Sequence, residues 1–303
     1  MNSRIRLTIV LLVGIVSFTS AQQGAEDQAR EKKLQEQSMA AAKDTSLHYG
    51  WTHAMQTGLN LTQVSFKDWA QGGENALSYT AYLNGSSTLR EELINWSNSY
   101  KFSFGQTRLG SQGIRKTDDE IYFESLLIYK LGVYINPYVA AMVRTQFAVG
   151  YTYDDAGNAT GVSKFFDPGY LSQSAGVAYQ PVPEVKTRIG LGIREIVTSQ
   201  FNQYAEDPNT HEPKKTLVQG GMEWITEVGW NFAENMTLSS RVELFDPFKK
   251  LDRLFFRNDN LITARVNAYI AASIGVQILN DVNVSPRTQI KQVLALGFTF
   301  GIL

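Results

Sequence analysis

The chain has 303 residues, of which 43% are apolar, 12% aromatic and 19% charged, with a formal net charge of −1 and no cysteine. Without cysteine there can be no disulfide, no lipid anchor on an N-terminal thiol, no thiol catalysis and no thiolate zinc site. So mild a charge balance also lacks the basic face that a nucleic-acid partner would require.

Residues 1–21 carry Arg4 and Arg6, then an apolar run from Leu7 to Phe18, then Thr19-Ser20-Ala21. That order of charge, short apolar run and small residues predicts a secretory signal peptide cleaved after Ala21. Its apolar run is too short for a retained helical span, and no later stretch approaches the ~20 apolar residues that a span needs. Cleavage removes both arginines and no acid, which moves the formal charge from −1 to −3. Residues 22–49 are different in kind: from Gln22 to Ser46 they are rich in Gln, Glu, Ala and Lys, with Leu34 and Met39 almost the only large apolar side chains. A segment so polar cannot bury a core of its own. A partner-binding arm, a small plug and a solvated lead all fit it.

From Gly50 onward the chain alternates apolar and polar residues in long runs. Strands are predicted at roughly 50–66, 76–88, 96–109, 119–133, 138–153, 170–180, 185–198, 216–231, 236–246, 256–266, 268–280 and 288–302. In the eighth, Met222, Trp224, Thr226, Val228 and Trp230 share one face and Glu223, Ile225, Glu227 and Gly229 the other. In the last, Leu294, Leu296, Phe298, Phe300 and Ile302 oppose Lys291, Ala295, Gly297, Thr299 and Gly301. Lys186, Arg188 and Arg194 likewise alternate with Ile189, Leu191 and Ile193, and Arg241 and Glu243 with Leu238, Val242 and Leu244. Period two puts each set on one side of a sheet. In water the apolar side would face a core; in a membrane barrel it faces lipid and the charged side faces the lumen.

The links between strands choose between these. Short turns are predicted around Glu91-Glu92, Asn136-Pro137, Pro181 to Glu184, Ala233 to Asn235, and Asn267; longer links at 67–75, 110–118, 154–169, 199–215, 247–255 and 281–287. Short and long links in alternation, an even strand number and an export signal describe a transmembrane antiparallel up-and-down β-barrel of about 12 strands, within a range of 10 to 14. Residues 50–303 are its domain. It is expected in a bacterial outer membrane, both termini periplasmic, with membrane lipid and the barrel-assembly machinery as its partners. Trp224, Trp230, Phe298 and Phe300 then meet lipid, where aromatic rings favour the interface. Phe165, Phe166, Pro168-Gly169 and Tyr170 read as loop packing and an outer aromatic girdle.

Three stretches stand out from the alternation. They are Asn60 to Phe66 running on to Trp69-Ala70-Gln71-Gly72-Gly73-Glu74-Asn75, then Arg115-Lys116-Thr117-Asp118-Asp119, then Thr145-Gln146-Phe147 with Gly150-Tyr151. In this order they resemble an uncharacterised barrel family of Bacteroidetes-type outer membranes, over about residues 50 to 303. The resemblance implies location and fold and brings no activity with it. The end, Phe300-Gly301-Ile302-Leu303, departs from the aromatic ending of such chains. Physically, Gly72-Gly73 allow positive φ and close backbone approach, and Glu74 and Asn75 can bond an adjacent loop. Trp69, Gly72, Gly73, Glu74 and Asn75 are therefore expected in a loop at the barrel mouth. There they would either contact a ligand or be pinned in the lumen by ion pairs to the loop holding Arg115, Lys116, Asp118 and Asp119.

The inward face is expected to carry Lys101, Arg144, Lys186, Arg188, Arg194, Arg241 and Arg265 against Glu124, Glu223, Glu227 and Glu243. Two functions fit such a lumen: a passive small-solute channel of porin type, or an envelope barrel plugged by its own salt bridges. The stripe Lys186, Arg188, Arg194 hints at an anionic solute. Loop-mediated docking, adhesion or a secretion-accessory role is the alternative, and a lipid-modifying barrel enzyme the third. His48, His53 and His211 are the only histidines, with no G-x-S-x-G elbow beside them, so no catalytic residue is expected. Asp154 to Asn158 lacks the later glutamate of a calcium loop and reads as a turn. No metal or cofactor is expected.

Overall fold

The structure is a computed structural model that describes residues 49–303 apart from 66–74, 111, 133, 155, 206–213, 249–252, 283–284, 286 and 302–303. The signal peptide and nearly all of the polar segment at 22–49 lie outside the described residues. The strands are β1 (Gly50–Val64), β2 (Ala76–Arg90), β3 (Ile94–Leu109), β4 (Ile114–Tyr129), β5 (Asn136–Thr145), β6 (Gly150–Tyr153), β7 (Ala159–Ser163), β8 (Gly169–Val182), β9 (Val185–Val197), β10 (Thr216–Ala233), β11 (Met236–Pro247), β12 (Phe255–Arg265), β13 (Ile270–Asn280) and β14 (Gln289–Gly301). All but β6 and β7 close into a 12-stranded antiparallel barrel in chain order, with β14 returning to β1; β6 and β7 pair as a separate hairpin. The expected strand count holds.

Closure puts the two faces of every strand in different surroundings. Met222 and Trp224 stand outward and exposed while Glu223, at 4% exposure, and Ile225 are buried inside. Ile189, Leu191 and Ile193 are exposed on the outside of β9, with Arg188 and Arg194 buried between them on the inside. Outward leucine, isoleucine, valine and aromatic residues recur around the whole wall, and Leu294 is 80% exposed. An apolar surface this extensive far exceeds the patches that monomers leave in water; it is shaped for lipid. Aromatic pairs gather where the short turns are: Trp51 with Trp96 at 5.6 Å, Tyr134 with Tyr179 at 6.1 Å, Trp230 with Phe232 at 5.6 Å and Tyr269 with Phe300 at 6.1 Å between ring centres. A ring of amphipathic side chains at one level is an interfacial girdle.

Three expectations change. The third link is a tight turn at Gly110–Gly113, both glycines at positive φ, rather than a loop over 110–118. Arg115 to Asp118 therefore belong to β4, which pairs with β3 through a bulge at Thr117, where Gly105 faces Asp118 and Gln106 faces Lys116. The strand expected over 138–153 leaves the wall after Thr145, and its tail returns as β6 in the hairpin of the long β5–β8 link. Tyr170 faces the lumen beside Arg194 rather than the outer girdle. Asp154 to Asn158 is a turn, as read: Asp154 accepts from the backbone and side-chain amides of Asn158, at 2.7 and 2.8 Å, which hold its carboxyl below the usual range.

The seam is uneven. β1 pairs with β2 along its full length, from Gly50 opposite Arg90 to Val64 opposite Ala76, but with β14, among the described residues, from Gln56 opposite Gly301 only as far as Asn60 opposite Gly297. Inside the barrel one row latches it: Tyr82 lies across Gly58 so that its hydroxyl reaches Thr299 Oγ1 at 2.9 Å. A Cβ at Gly58 would sit on the Tyr82 ring and 2.6 Å from the Phe298 carbonyl. Gly58→Ala is expected to cost about 1–3 kcal/mol. Gly229→Ala, where an added Cβ meets nothing within 4 Å, should change stability by no more than ~0.5 kcal/mol. Urea midpoints in lipid vesicles would check both.

Candidate functional site

The charged face meets itself across the lumen. Glu124 on β4 accepts from Tyr122 at 2.9 Å and from both Arg241 nitrogens on β11 at 3.0 and 3.1 Å, and it pairs with Arg188 on β9. Arg241 also pairs with Glu227. Behind Arg188, Glu223 accepts from the Ser174 hydroxyl at 2.7 Å. Nearer the long-loop end, Glu120 gathers Lys101 at 2.6 Å, Arg257 at 3.0 Å and Arg144 at 3.4 Å. Arg144 reaches on to Glu243 at 3.6 Å, and Arg257 to Asp259 at 2.8 Å. Arg194 pairs with Asp281 at 3.0 Å and lies 3.6 Å over the Phe255 ring. Strand β4 is the hub, since its carboxylates reach β9, β11 and β12, none of them its neighbours in the wall. Charges buried in such a lattice are tolerated only because each is paired.

The lattice occupies one side. Around Glu124, Arg188, Glu223 and Glu243 the packing leaves no room for water. The facing wall is small: Ser86, Thr88, Ser97, Ser99, Ser273, Gly275 and Ala295 point inward from β2, β3, β13 and β14 by register. Against it lies a cavity of about 870 Å³, reaching from Tyr204, Pro168 and Lys291 at the long-loop end to Ser239, Leu261 and Gly275. Toward the short-turn end inward Thr52, Ala54, Gly229 and Ser239 are exposed.

A second cluster lies at the long-loop end. Lys116 donates to Asp119 at 2.8 Å, to Gln146 at 3.2 Å and to the Ala148 carbonyl at 2.9 Å. Asp119 in turn accepts from the Phe147 and Ala148 backbone at 2.7 and 2.8 Å. These bonds take the ladder's place for the Phe147 and Ala148 backbone, just past the end of β5 at Thr145. A Cβ at Gly150 would displace the Ser163 hydroxyl. Arg115 covers the Tyr153 ring at 4.0 Å, and Asp118 points inward to Lys291 at 2.7 Å. The second and third sequence motifs are thus one clasp.

Of the lumen residues expected, Arg144, Arg188, Arg194, Glu223, Glu227, Arg241 and Glu243 join the lattice with Lys101 and Glu124. Lys186 and Arg265 stay exposed and make no ion pair among the described residues, so the basic stripe is broken up. Trp69, Gly72, Gly73 and Glu74 lie outside the described residues, and with them the expected ion pairs to that loop. Asn75 is described; its carbonyl accepts from Gly110 at 2.7 Å. Sequence reading missed Glu120, Arg257, Asp259 and Asp281. Glu120 and Arg257 were signalled by alternation with Ile121 and Phe256; Asp259 stands between Asn258 and Asn260 and Asp281 lies beyond β13, so neither carried a signal. His48 and His211 lie outside the described residues. His53 stands on the outer face, its Nδ1 2.9 Å from Ser87 Oγ, and no ion pair joins it to a carboxylate among the described residues.

A family model described as "Protein of unknown function (DUF3078)" matches residues 61–151, the stretch that runs through the clasp motifs. No curated protein matches the chain. Among solved structures, the translocator domain of the autotransporter NalP from Neisseria meningitidis is 8% identical over 92% of this chain and 97% of its own, with a TM-score of 0.37. An outer membrane channel from Pseudomonas putida F1 is 11% identical over 84% and 96%, with a TM-score of 0.39. The NanC porin is 10% identical over 82% and 97%, with a TM-score of 0.36. No activity is carried over from any of them.

Glu124→Gln would leave Arg188 and Arg241 without their shared carboxylate. It is expected to cost roughly 3–5 kcal/mol. Glu227→Gln, at a side chain 40% exposed, should cost under ~1 kcal/mol. Urea unfolding in lipid vesicles, followed by tryptophan fluorescence, would measure both; equal effects would contradict the hub role of Glu124.

Proposed function

We propose that the chain is a bacterial outer-membrane β-barrel that passes small polar solutes passively. The observation that carries this is the cavity along the small wall, with exposed inward residues continuing below it toward the short turns. A barrel of eight strands is filled by its own side chains, while one of sixteen leaves an aqueous channel. Twelve strands lie between, and here the charged side chains crowd to one side and leave the other passable. The girdle, the lipid-shaped outer face and the export signal read from residues 1–21 support the membrane; the short turns, with the start of β1 and the end of β14 on their side of the barrel, support a periplasmic position for them.

Purified protein in a planar bilayer tests this. Discrete openings are expected, and Gly275→Trp, placed where an added Cβ meets nothing nearer than 3.8 Å, should lower unit conductance at least twofold. A silent membrane would overturn the reading.

A further inference from the structure

The seam and the cavity meet. Above Asn60 and Gly297 the two strands continue, β1 through Leu61–Val64 and β14 back through Leu296 to Gln289, yet these stretches do not pair with each other. The cavity is lined on one side of the seam by Asn84 on β2 and on the other by Lys291 and Val293, which belong to the unpaired stretch of β14. The split in the ladder therefore lies beside the cavity, toward its long-loop end. An unpaired backbone edge facing hydrocarbon costs several kcal/mol per group, so the gap needs water from the lumen or an occupant.

Its two sides differ in chemistry. Inside, the charges most open to the cavity are cationic: the Lys101 and Lys291 side chains are 45% and 44% exposed, while their partners Glu120 and Asp118 are 15% and 29% exposed. Outside, Leu61, Leu294 and Leu296 flank the split at 51%, 80% and 62% exposure, and Leu294 is the most exposed large apolar residue described. We infer that the split seam is a lateral portal for a single-chain anionic amphiphile, its charged head on Lys291 and Lys101 and its chain running out between Leu61 and Leu294 into lipid. A small hydrophilic solute would use only the cavity, and a neutral hydrocarbon only the outer groove. One molecule with both parts fits the two together. This goes beyond passive permeation and does not depend on it.

The test uses the full mature protein in lipid nanodiscs with a dodecanoate carrying a photoreactive diazirine near its tail, crosslinked sites being mapped by mass spectrometry. Saturable labelling is expected at Leu61, Leu294 or Leu296, competed by plain dodecanoate and not by dodecanol. Lys291→Glu should reduce it at least fivefold. The chain has no cysteine of its own, so Thr62→Cys with Ala295→Cys can be oxidised to staple the seam. Labelling should fall at least fivefold on oxidation and return on reduction. Labelling spread evenly over the outer wall, including Ile189 and Trp224, and indifferent to Lys291→Glu, would overturn the portal even in a conducting barrel. Saturable seam labelling in a barrel that does not conduct would uphold the portal and overturn the channel.

Discussion

In hydrocarbon a backbone N–H or C=O has no water to turn to, so a sheet that crosses lipid must close on itself. Everything else in this protein depends on that closure. Once the ladder runs from β1 around to β14, each strand has one face outside and one inside, and period two distributes its residues between them. The outer face can be as apolar as Leu294 and Trp224 only where the surroundings are not water. The inner face receives most of the charge the strands carry, while Arg108, Glu195 and Asp246 fall on the outer face by register.

That second consequence creates the lattice. A narrow lumen cannot hydrate so many charges separately, and the lowest-energy arrangement pairs them across the barrel. Strand β4 supplies the carboxylates Glu120 and Glu124, and arginines from β5, β9, β11 and β12 converge on them. Buried ion pairs add little net stability over an apolar core of the same shape, but removing one partner is costly. The lattice therefore works as a register device, penalising any slip of β4 against the opposite wall. Its concentration on one side leaves the serine- and glycine-rich wall of β2, β3, β13 and β14 uncovered. The cavity is the space that remains.

Much of this was legible in the residues. Strand positions followed from alternation, which closure enforces, and most inward charges followed from parity alone. Alternation could not reveal where a strand leaves the wall. Thr145 to Tyr153 keeps an alternating pattern, yet Asp119 and Lys116 capture the Phe147 and Ala148 backbone and the Gln146 side chain, a contact between segments far apart in sequence. The same clasp explains why Arg115 to Asp119, polar enough to read as a loop, is a strand edge that holds another segment. Partner choice in the lumen was equally hidden. Lys186, Arg188 and Arg194 look alike in sequence; Lys186 stands opposite Glu227, yet that carboxylate pairs with Arg241 from the strand on its other side, and only Arg188 and Arg194 meet carboxylates. The incomplete seam had no sequence signal, because Leu61 to Val64 and Leu294 to Leu296 are ordinary strand residues.

The inversion of faces, charge inside and apolar outside, is open to test at two adjacent residues. Single cysteines at Val293 and Leu294, each carrying a nitroxide in reconstituted vesicles, would report their surroundings by electron paramagnetic resonance. The label at 294 is expected to relax with oxygen dissolved in lipid and to ignore a water-soluble nickel complex; the label at 293 should respond to the nickel complex from the lumen. A label at 294 that is open to the nickel complex, or shielded from both reagents as in a soluble core, would contradict it.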